Sequence, residues 1–241
     1  MPKNPKETII ISLGGSLVAP ARNGFAIGDA GGPGEIDLGF LKNFKHSLQK
    51  YLGAKKFFII VGGGRTARVY QNALLEFGAN NTNRDWIGIN ISRLNAEVIK
   101  QLFGKLAYSE IIEDPTKKVT NKKDILVAGG WKPGWSTDYV SVLIAKTYGV
   151  DTIINLTNID YVYDKDPKQF PDAKPIKEIN WKDFRKIVGD KWTPGLSMPF
   201  DSRATKLAAR LKLKVIMING KNLERLEDFL NNKPFVGTTI Q

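Results

Sequence analysis

The chain has 241 residues, of which 42% are hydrophobic and 25% charged, enough for one large α/β domain or two small lobes and too apolar for disorder as its main state. It contains no cysteine, so a disulfide framework, a thiolate metal site and a thiol nucleophile are all excluded. A formal net charge of +12 attracts anionic partners. The lysines nevertheless sit in scattered pairs such as Lys55-Lys56, Lys117-Lys118 and Lys122-Lys123, without a basic tail or an aromatic RNA-binding signature, so nucleic acid is not the expected main partner.

In chain order, Met1 to Glu7 is polar, and the apolar run Thr8 to Leu13 is too short for a signal-peptide core or a membrane span. A soluble, cytoplasmic protein with no membrane partner is expected. Thr8 to Leu13 reads as a first strand that runs into Gly14-Gly15-Ser16. Glycine-rich Asn23 to Gly39 is predicted to be a mobile loop or lid. A helix then follows, with Leu38, Leu41, Phe44, Leu48 and Leu52 on one face. Phe57 to Val61 is a second strand leading into Gly62-Gly63-Gly64-Arg65 and a helix that carries Arg68 and places Val69, Ala73 and Phe77 together. Further helices are predicted over Trp86 to Phe103, Asp138 to Tyr148, Asn180 to Val188, Ser202 to Leu211 and Leu223 to Leu230, with Asp138 and Ser202 placed as caps. Strands are predicted at Ile125 to Ala128, Thr152 to Leu156 and Val215 to Ile218. Pro167 to Pro175 marks a long turn. Buried strands alternating with helices imply a mainly parallel sheet covered on both faces, with ligands at the carboxyl ends of its strands.

Two of those strand ends offer bare glycine backbone. Glycine lets main-chain N–H groups approach a phosphate, and an arginine one turn into the next helix adds a planar fork suited to its oxygens. Neither the P-loop pattern, nor G-x-G-x-x-G after a strand, nor the protein-kinase signatures occur, so a different phosphate-binding fold is required. The segment Gly129 to Asp138 is a third glycine loop with hydroxyls at a helix start, readable as an anion site or as a turn capped by Ser136, Thr137 or Asp138. Thr157 to Pro167 alternates aromatics with carboxylates and fits a β-hairpin as well as a nucleotide contact. Pro199-Phe200-Asp201 precedes a helix holding Lys206 about one turn in, where Asp201 is either a cap or the organiser of a phosphate site.

In this order the segments resemble the UMP kinases of the amino-acid-kinase superfamily, and their archaeal-type branch in particular. The resemblance is carried by Leu13-Gly14-Gly15-Ser16, Val61 to Gly64 with Arg68, Asp85 and Gly88 with Ser92-Arg93-Leu94-Asn95-Ala96, Gly129 to Asp138, Thr157 to Pro167, and Asp201 with Lys206. It implies one domain over residues 1–241, a three-layer αβα sandwich around a mainly parallel sheet. Residues 1–150 would mainly hold UMP and phosphates and 151–241 mainly ATP. It further implies Mg²⁺ brought with ATP, a homo-oligomer that is usually a hexamer made from dimers, and formation of UDP in pyrimidine nucleotide biosynthesis. By the same resemblance, Gly14, Gly15, Ser16, Gly64 and Arg68 hold ATP phosphates, and Thr157, Asn158, Tyr163 and Asp166 surround its adenosine. Gly63, Asp85, Trp131, Lys132, Pro133, Gly134, Trp135, Ser136 and Thr137 hold UMP, with Asp85 suited to accept from ribose hydroxyls. Lys206, Asp201 and Arg68 carry the transfer: Lys206 bridges the moving oxygens, and Asp201 orients Lys206 or a magnesium-bound water.

Two positions depart from the family pattern. Ser12 stands where many superfamily members carry lysine, and Lys206, helped by Arg22, is expected to compensate. Tyr161 replaces the usual glycine of the segment after Thr157. The resemblance leaves two rivals: a superfamily kinase acting on another acceptor, or a non-catalytic nucleotide- or oxoanion-binding member. Isopentenyl phosphate kinases use a histidine at the acceptor, whereas the only histidine here, His46, falls on a helix remote in sequence from the glycine loops and is expected at the surface.

Overall fold

A run such as Ile9-Ile10-Ile11 has no polar side to give to water, so as a strand it must be covered on both faces. The computed structural model, which describes residues 6–20, 36–167, 169–189 and 199–241, shows this arrangement. Strand β1 (Glu7–Leu13) pairs in parallel with β2 (Lys55–Val61) on one side and β4 (Thr152–Thr157) on the other. Outside them lie β3 (Ile125–Ala128), parallel to β2, and β8 (Lys214–Asn219), parallel to β4. Short β9 (Thr238–Ile240) runs antiparallel to β8, and β7 (Glu178–Ile179) closes that edge of a seven-stranded sheet ordered β3-β2-β1-β4-β8-β9-β7. The resemblance implied a mainly parallel sheet, and that is what forms.

Alternation at period two sends successive side chains to opposite faces. Ile9, Ile11, Leu13, Phe57, Ile59 and Val61 face the layer of α2 (Leu38–Gln49), α4 (Asn81–Phe103) and α8 (Leu223–Leu230), packing with Phe44, Leu48, Ile99 and Leu226. Ile10, Phe58, Ile60, Ile153 and Val215 face α5 (Thr137–Tyr148), α6 (Trp181–Val188) and α7 (Ser202–Arg210), packing with Val140, Ile144, Phe184 and Ala204. Each such side chain contributes about 1.5–3 kcal/mol on burial, so the two helical layers are held by the sheet and need little intrinsic helix stability. The result is the three-layer αβα sandwich.

The first helical residues after β1 and β2 are glycines: α1 (Gly15–Val18) follows its strand after Gly14 alone, and α3 (Gly64–Glu76) after Gly62 and Gly63. His46 is exposed, as expected. Residues 21–35, with Arg22 and most of the glycine-rich stretch, lie outside the described residues, and α2 begins at Leu38 under an Asp37 cap that accepts from Phe40 N.

Several local expectations change. α5 is capped by Ser136, whose Oγ accepts from Tyr139 N, and α7 by Asp201, which accepts from Arg203 N and Ala204 N; Asp138 and Ser202 are not caps. A cap needs extended backbone just ahead of the helix. Ser136 (ψ 168°) and Asp201 (ψ 147°) have it, whereas Asp138 and Ser202 are already helical. α2 stops at Gln49, and Leu52 instead forms a bridge to Lys55. On α3 the stripe Val69, Ala73 and Phe77 is not core-facing: Ala73 is exposed and Phe77 is 82% exposed, because α3 packs inward through Gly64, Ala67 and Gln71. α4 begins at Asn81, five residues before the predicted start, under an Asn80 cap. After β4, the strands β5 (Val162–Tyr163) and β6 (Pro175–Ile176) pair antiparallel, which is the hairpin reading of that segment.

Candidate active site

At the carboxyl ends of the two central strands the glycine turns meet. Gly14 N–H donates to Leu156 O at 2.9 Å and Gly62 N–H to Leu13 O at 3.0 Å, which brings the turn after β1 against those after β4 and β2. A Cβ on Gly15 would lie 2.1 Å from Gly64 N and 2.6 Å from Gly62 O, so the two backbones touch where any side chain would stand. Gly64 also takes φ +66°, in the left-handed region that favours glycine. The sequence places glycine here because two main chains need the same space.

Beside these turns α3 projects Arg68. Desolvation, and then the neighbouring positive charge of Arg65, push its pKa down, and among the described residues no carboxylate pairs with it. A half-buried guanidinium facing a like charge is a receptor for an anion.

The loop 129–137 lies across the site, fastened on one side to α4. Ser92 Oγ accepts from Gly130 N at 2.7 Å, and Arg93 donates through Nε to Gly130 O at 3.0 Å and through Nη2 to Trp131 O at 3.3 Å. Asn95 Nδ2 reaches the other way, to Gly62 O at 2.9 Å and Gly63 O at 3.3 Å. The Ser92-Arg93-Leu94-Asn95-Ala96 signature is therefore a bracket between two phosphate-side loops, with exposed Leu94 outside it. Asp85 Oδ2 accepts from Gly134 N at 2.6 Å. Burial raises the pKa of Asp85, against the lowering pull of that N–H and of Arg84 and Arg203. One oxygen of the expected ribose acceptor is thus engaged with the loop itself.

On its other side the loop meets α7. Ser136 Oγ donates to Asp201 Oδ2, and Arg203 Nη1 donates to Gly134 O at 2.5 Å, with its guanidinium 5.3 Å from the Trp135 ring. Trp131, Trp135 and Tyr139 form a stack, at 6.5 and 4.2 Å between successive rings, and Lys132 lies 4.6 Å over Trp131. Beneath, Ser12 Oγ donates to Asp138 Oδ1 at 3.1 Å, and Asp138 Oδ2 accepts from Asp201 N at 3.1 Å. Desolvation, reinforced by the Asp201 charge, pushes Asp138 up to about 7 against the pull of those two donors. Asn155, paired in register with Ser12, donates to Pro199 O at 3.0 Å and fixes the approach to α7.

The structure therefore gathers Gly14, Gly15 and Gly64 in one cluster. It gathers Asp85, Gly134, Trp135, Ser136 and Asp201 in another, with Gly63 bracketed between them by Asn95. Ser16, Lys132, Pro133 and Thr137 ride on the same turns. Thr157 follows Leu156 beside Gly14, and its carbonyl accepts from Gly220 N at 2.8 Å; Asn158 is the exposed residue after it. Lys206 is exposed on the face of α7 that carries Arg203, one turn further on. Tyr163 pairs with Pro175 in the hairpin, and Asp166 sits at its exposed tip accepting from Gln169. Ser12–Asp138, Asn155 and Arg203 were not singled out as site residues. Only the unusual serine at position 12 was a sequence signal for that group.

The Amino acid kinase family model matches residues 7–219. The uridylate kinase of Pyrococcus abyssi is 33% identical over 97% of this chain and 99% of its own length. That of Thermoplasma volcanium is 33% identical over 98% of each. The crystal structure of uridylate kinase from Archaeoglobus fulgidus superposes with a TM-score of 0.75 at 27% identity, covering 97% of this chain and 99% of that one. UMP kinase from Bacillus anthracis shares the fold at 20% identity, with a TM-score of 0.72 over 99% of this chain and 97% of that one.

Proposed function

The chain belongs to the amino acid kinase family, among its uridylate kinases, and we propose on that footing that it transfers the γ-phosphate of ATP to UMP, giving UDP. The observation that supports this reading best is the contact of the Gly14-Gly15 and Gly62-Gly64 backbones at adjacent strand ends, with the start of α3 and Arg68 beside them. Such a turn offers inward N–H groups, a helix N-terminus and a cation to several negative oxygens at once.

Phosphoryl transfer requires donor and acceptor to be held in line and their spreading charge to be neutralised. The UMP phosphate is already ionised, so no strong base is needed. On this reading Gly14, Gly15, Ser16, Gly64 and Arg68 hold the ATP phosphates, and Thr157, Asn158, Tyr163 and Asp166 border its adenosine. Gly63, Asp85 and residues 131–137 hold UMP. Lys206 reaches the transferring oxygens from the exposed face of α7, and Asp201 keeps the start of that helix against Ser136. Magnesium, arriving on the ATP phosphates, would neutralise part of their charge. The expected hexamer and cytoplasmic location belong to the same reading. Among the described residues no helix is long and apolar enough to cross a membrane.

A coupled assay with ATP and a panel of acceptors tests the proposal. UDP should form from UMP, and Lys206→Ala should lower kcat. Phosphorylation of acetylglutamate or isopentenyl phosphate in place of UMP overturns the acceptor; nucleotide binding without UDP formation at saturating magnesium-ATP overturns catalysis. Near-normal kcat in Lys206→Ala removes that residue from the mechanism.

A further inference from the structure

Gly134 is gripped from both sides of its peptide. Its N–H donates to Asp85 of α4 at 2.6 Å, and its carbonyl accepts from Arg203 of α7 at 2.5 Å. Its φ of +88° favours glycine, and a Cβ there would lie 3.2 Å from Arg203 Nη1, so glycine leaves room for the guanidinium. The same guanidinium lies 5.3 Å over the Trp135 ring, which is stacked on Tyr139 at 4.2 Å. One exposed side chain thus spends a charged hydrogen bond and a cation–π contact on two consecutive residues of the loop.

The fold of α7 does not need this. The helix is capped by Asp201 and buried through Ala204, Leu207 and Ala208, while Arg203 stands on its outer face. What the contact does accomplish is mechanical. The loop is fastened to α4 by Ser92, Arg93 and Asp85; to α7 it is fastened by Ser136 and Arg203. Without Arg203 the loop that carries the Trp131–Trp135 aromatic surface loses its charged tie to α7, while the bond from Ser136 to Asp201 remains.

We propose that Arg203 is a positioning residue that locks loop 129–137 onto α7, and so sets the affinity for the acceptor nucleotide. This rests on the reading of that loop as the UMP site. It assigns Arg203 no contact with reacting atoms: Arg203 acts through Gly134 and Trp135 by holding the loop in its binding shape before UMP arrives, which spares the ordering cost on binding.

Trp131 and Trp135 supply a direct readout, because UMP binding beside them should alter tryptophan fluorescence. In Arg203→Ala, the UMP dissociation constant from fluorescence titration and the KM for UMP should both rise about tenfold, the loss of one charge-assisted hydrogen bond and one exposed cation–π contact. The KM for ATP should stay within about twofold and the thermal midpoint should fall by no more than about 4 °C, as suits an exposed side chain outside the donor loops. Arg203→Lys should recover part of the affinity, since an ammonium can reach the carbonyl but lacks the planar fork. Trp135→Leu should resemble Arg203→Ala. Unchanged UMP affinity in Arg203→Ala overturns the proposal, as does a matched rise in both KM values with a larger fall of the thermal midpoint. A wild-type chain that binds UMP without forming UDP refutes the kinase reading alone, because the ratio of UMP dissociation constants still decides the lock. A wild-type chain that does not bind UMP overturns both.

Discussion

Asp138→Asn should make the protein more stable at pH 8 by several times the margin seen in acid. Asp138 is half-buried with its carboxyl turned inward to Ser12 and Asp201, and that carboxyl is pushed up to about 7 by desolvation and by the Asp201 charge, against the lowering effect of Asp201 N–H and Ser12 Oγ. A carboxyl whose folded pKa exceeds its unfolded value favours the fold fully below the unfolded pKa and loses that contribution as pH rises through the folded one. From 3.8 to about 7, at about 1.4 kcal/mol per unit, the ceiling is about 4 kcal/mol. Asparagine imitates the protonated acid: its carbonyl can accept from Asp201 N–H, and its NH₂ can donate to Ser12 Oγ, since a hydroxyl serves in either direction. Urea unfolding should therefore show a gain over wild type of about 1.5 kcal/mol at pH 5, rising to about 4 kcal/mol at pH 8. A constant offset between the two proteins from pH 5 to 8 would refute the reasoning, because it would mean that Asp138 is ionised throughout.

Three further outcomes follow from the same geometry. Gly15→Ala should unfold at markedly lower urea and lose nucleotide binding, since its Cβ would sit 2.1 Å from Gly64 N and the obstacle is backbone; a soluble variant with wild-type ATP affinity would contradict this. Arg68→Ala should cost about 2–3 kcal/mol of transition-state stabilisation in kcat/KM while leaving the fold no less stable, because a desolvated cation beside Arg65 is removed; activity within twofold of wild type would take Arg68 out of the site. Asp160, held well below the usual carboxylate range by Arg225 and then Asn219, ties the segment after β4 to α8. Arg225→Ala should raise the KM for ATP about threefold and leave that for UMP alone, in keeping with an exposed pair worth about 0–1 kcal/mol; equal effects on both substrates would place the tie elsewhere.

How legible each part was depended on the range of the physics behind it. The five long parallel strands were readable because runs such as Phe57 to Val61 are buried on both faces, and that constraint is local. β7 and β9 were not, for two or three residues carry no periodicity and pair only because β8 leaves an open edge. The helix caps show the same limit: Ser136 and Asp201 stood among the sequence's candidates, but nothing local chose them over Asp138 and Ser202. Ser136, Thr137 and Asp138 are all acceptable cap residues, and choosing among them requires knowing that Asp138 has been drawn down to Ser12 and Asp201. The stripe Val69, Ala73 and Phe77 has helical period without burial: periodicity identifies a face, and the fold decides whether anything covers it.

Ser12 links these observations. A lysine there would place a cation beside Asp138 and favour its ionised form; a serine supplies only a hydroxyl, and desolvation prevails. The interior of the site, at the level of β1, therefore holds a serine hydroxyl bonded to a carboxyl that is pushed up to about 7, where a salt bridge could have stood. Phosphate binding still demands positive charge, and the structure provides it elsewhere: Arg68 near the start of α3 and Lys206 on the exposed face of α7. Exposed Lys206 keeps more of its hydration and costs less to maintain when no nucleotide is bound, whereas half-buried Arg68 has already given up part of its own. The attraction of Lys206 is also more open to screening by salt. The consequence is a site that relies on ligand binding to exclude water and strengthen its charges, which makes the fastening of loop 129–137 between α4 and α7 part of the electrostatics as well as of the shape.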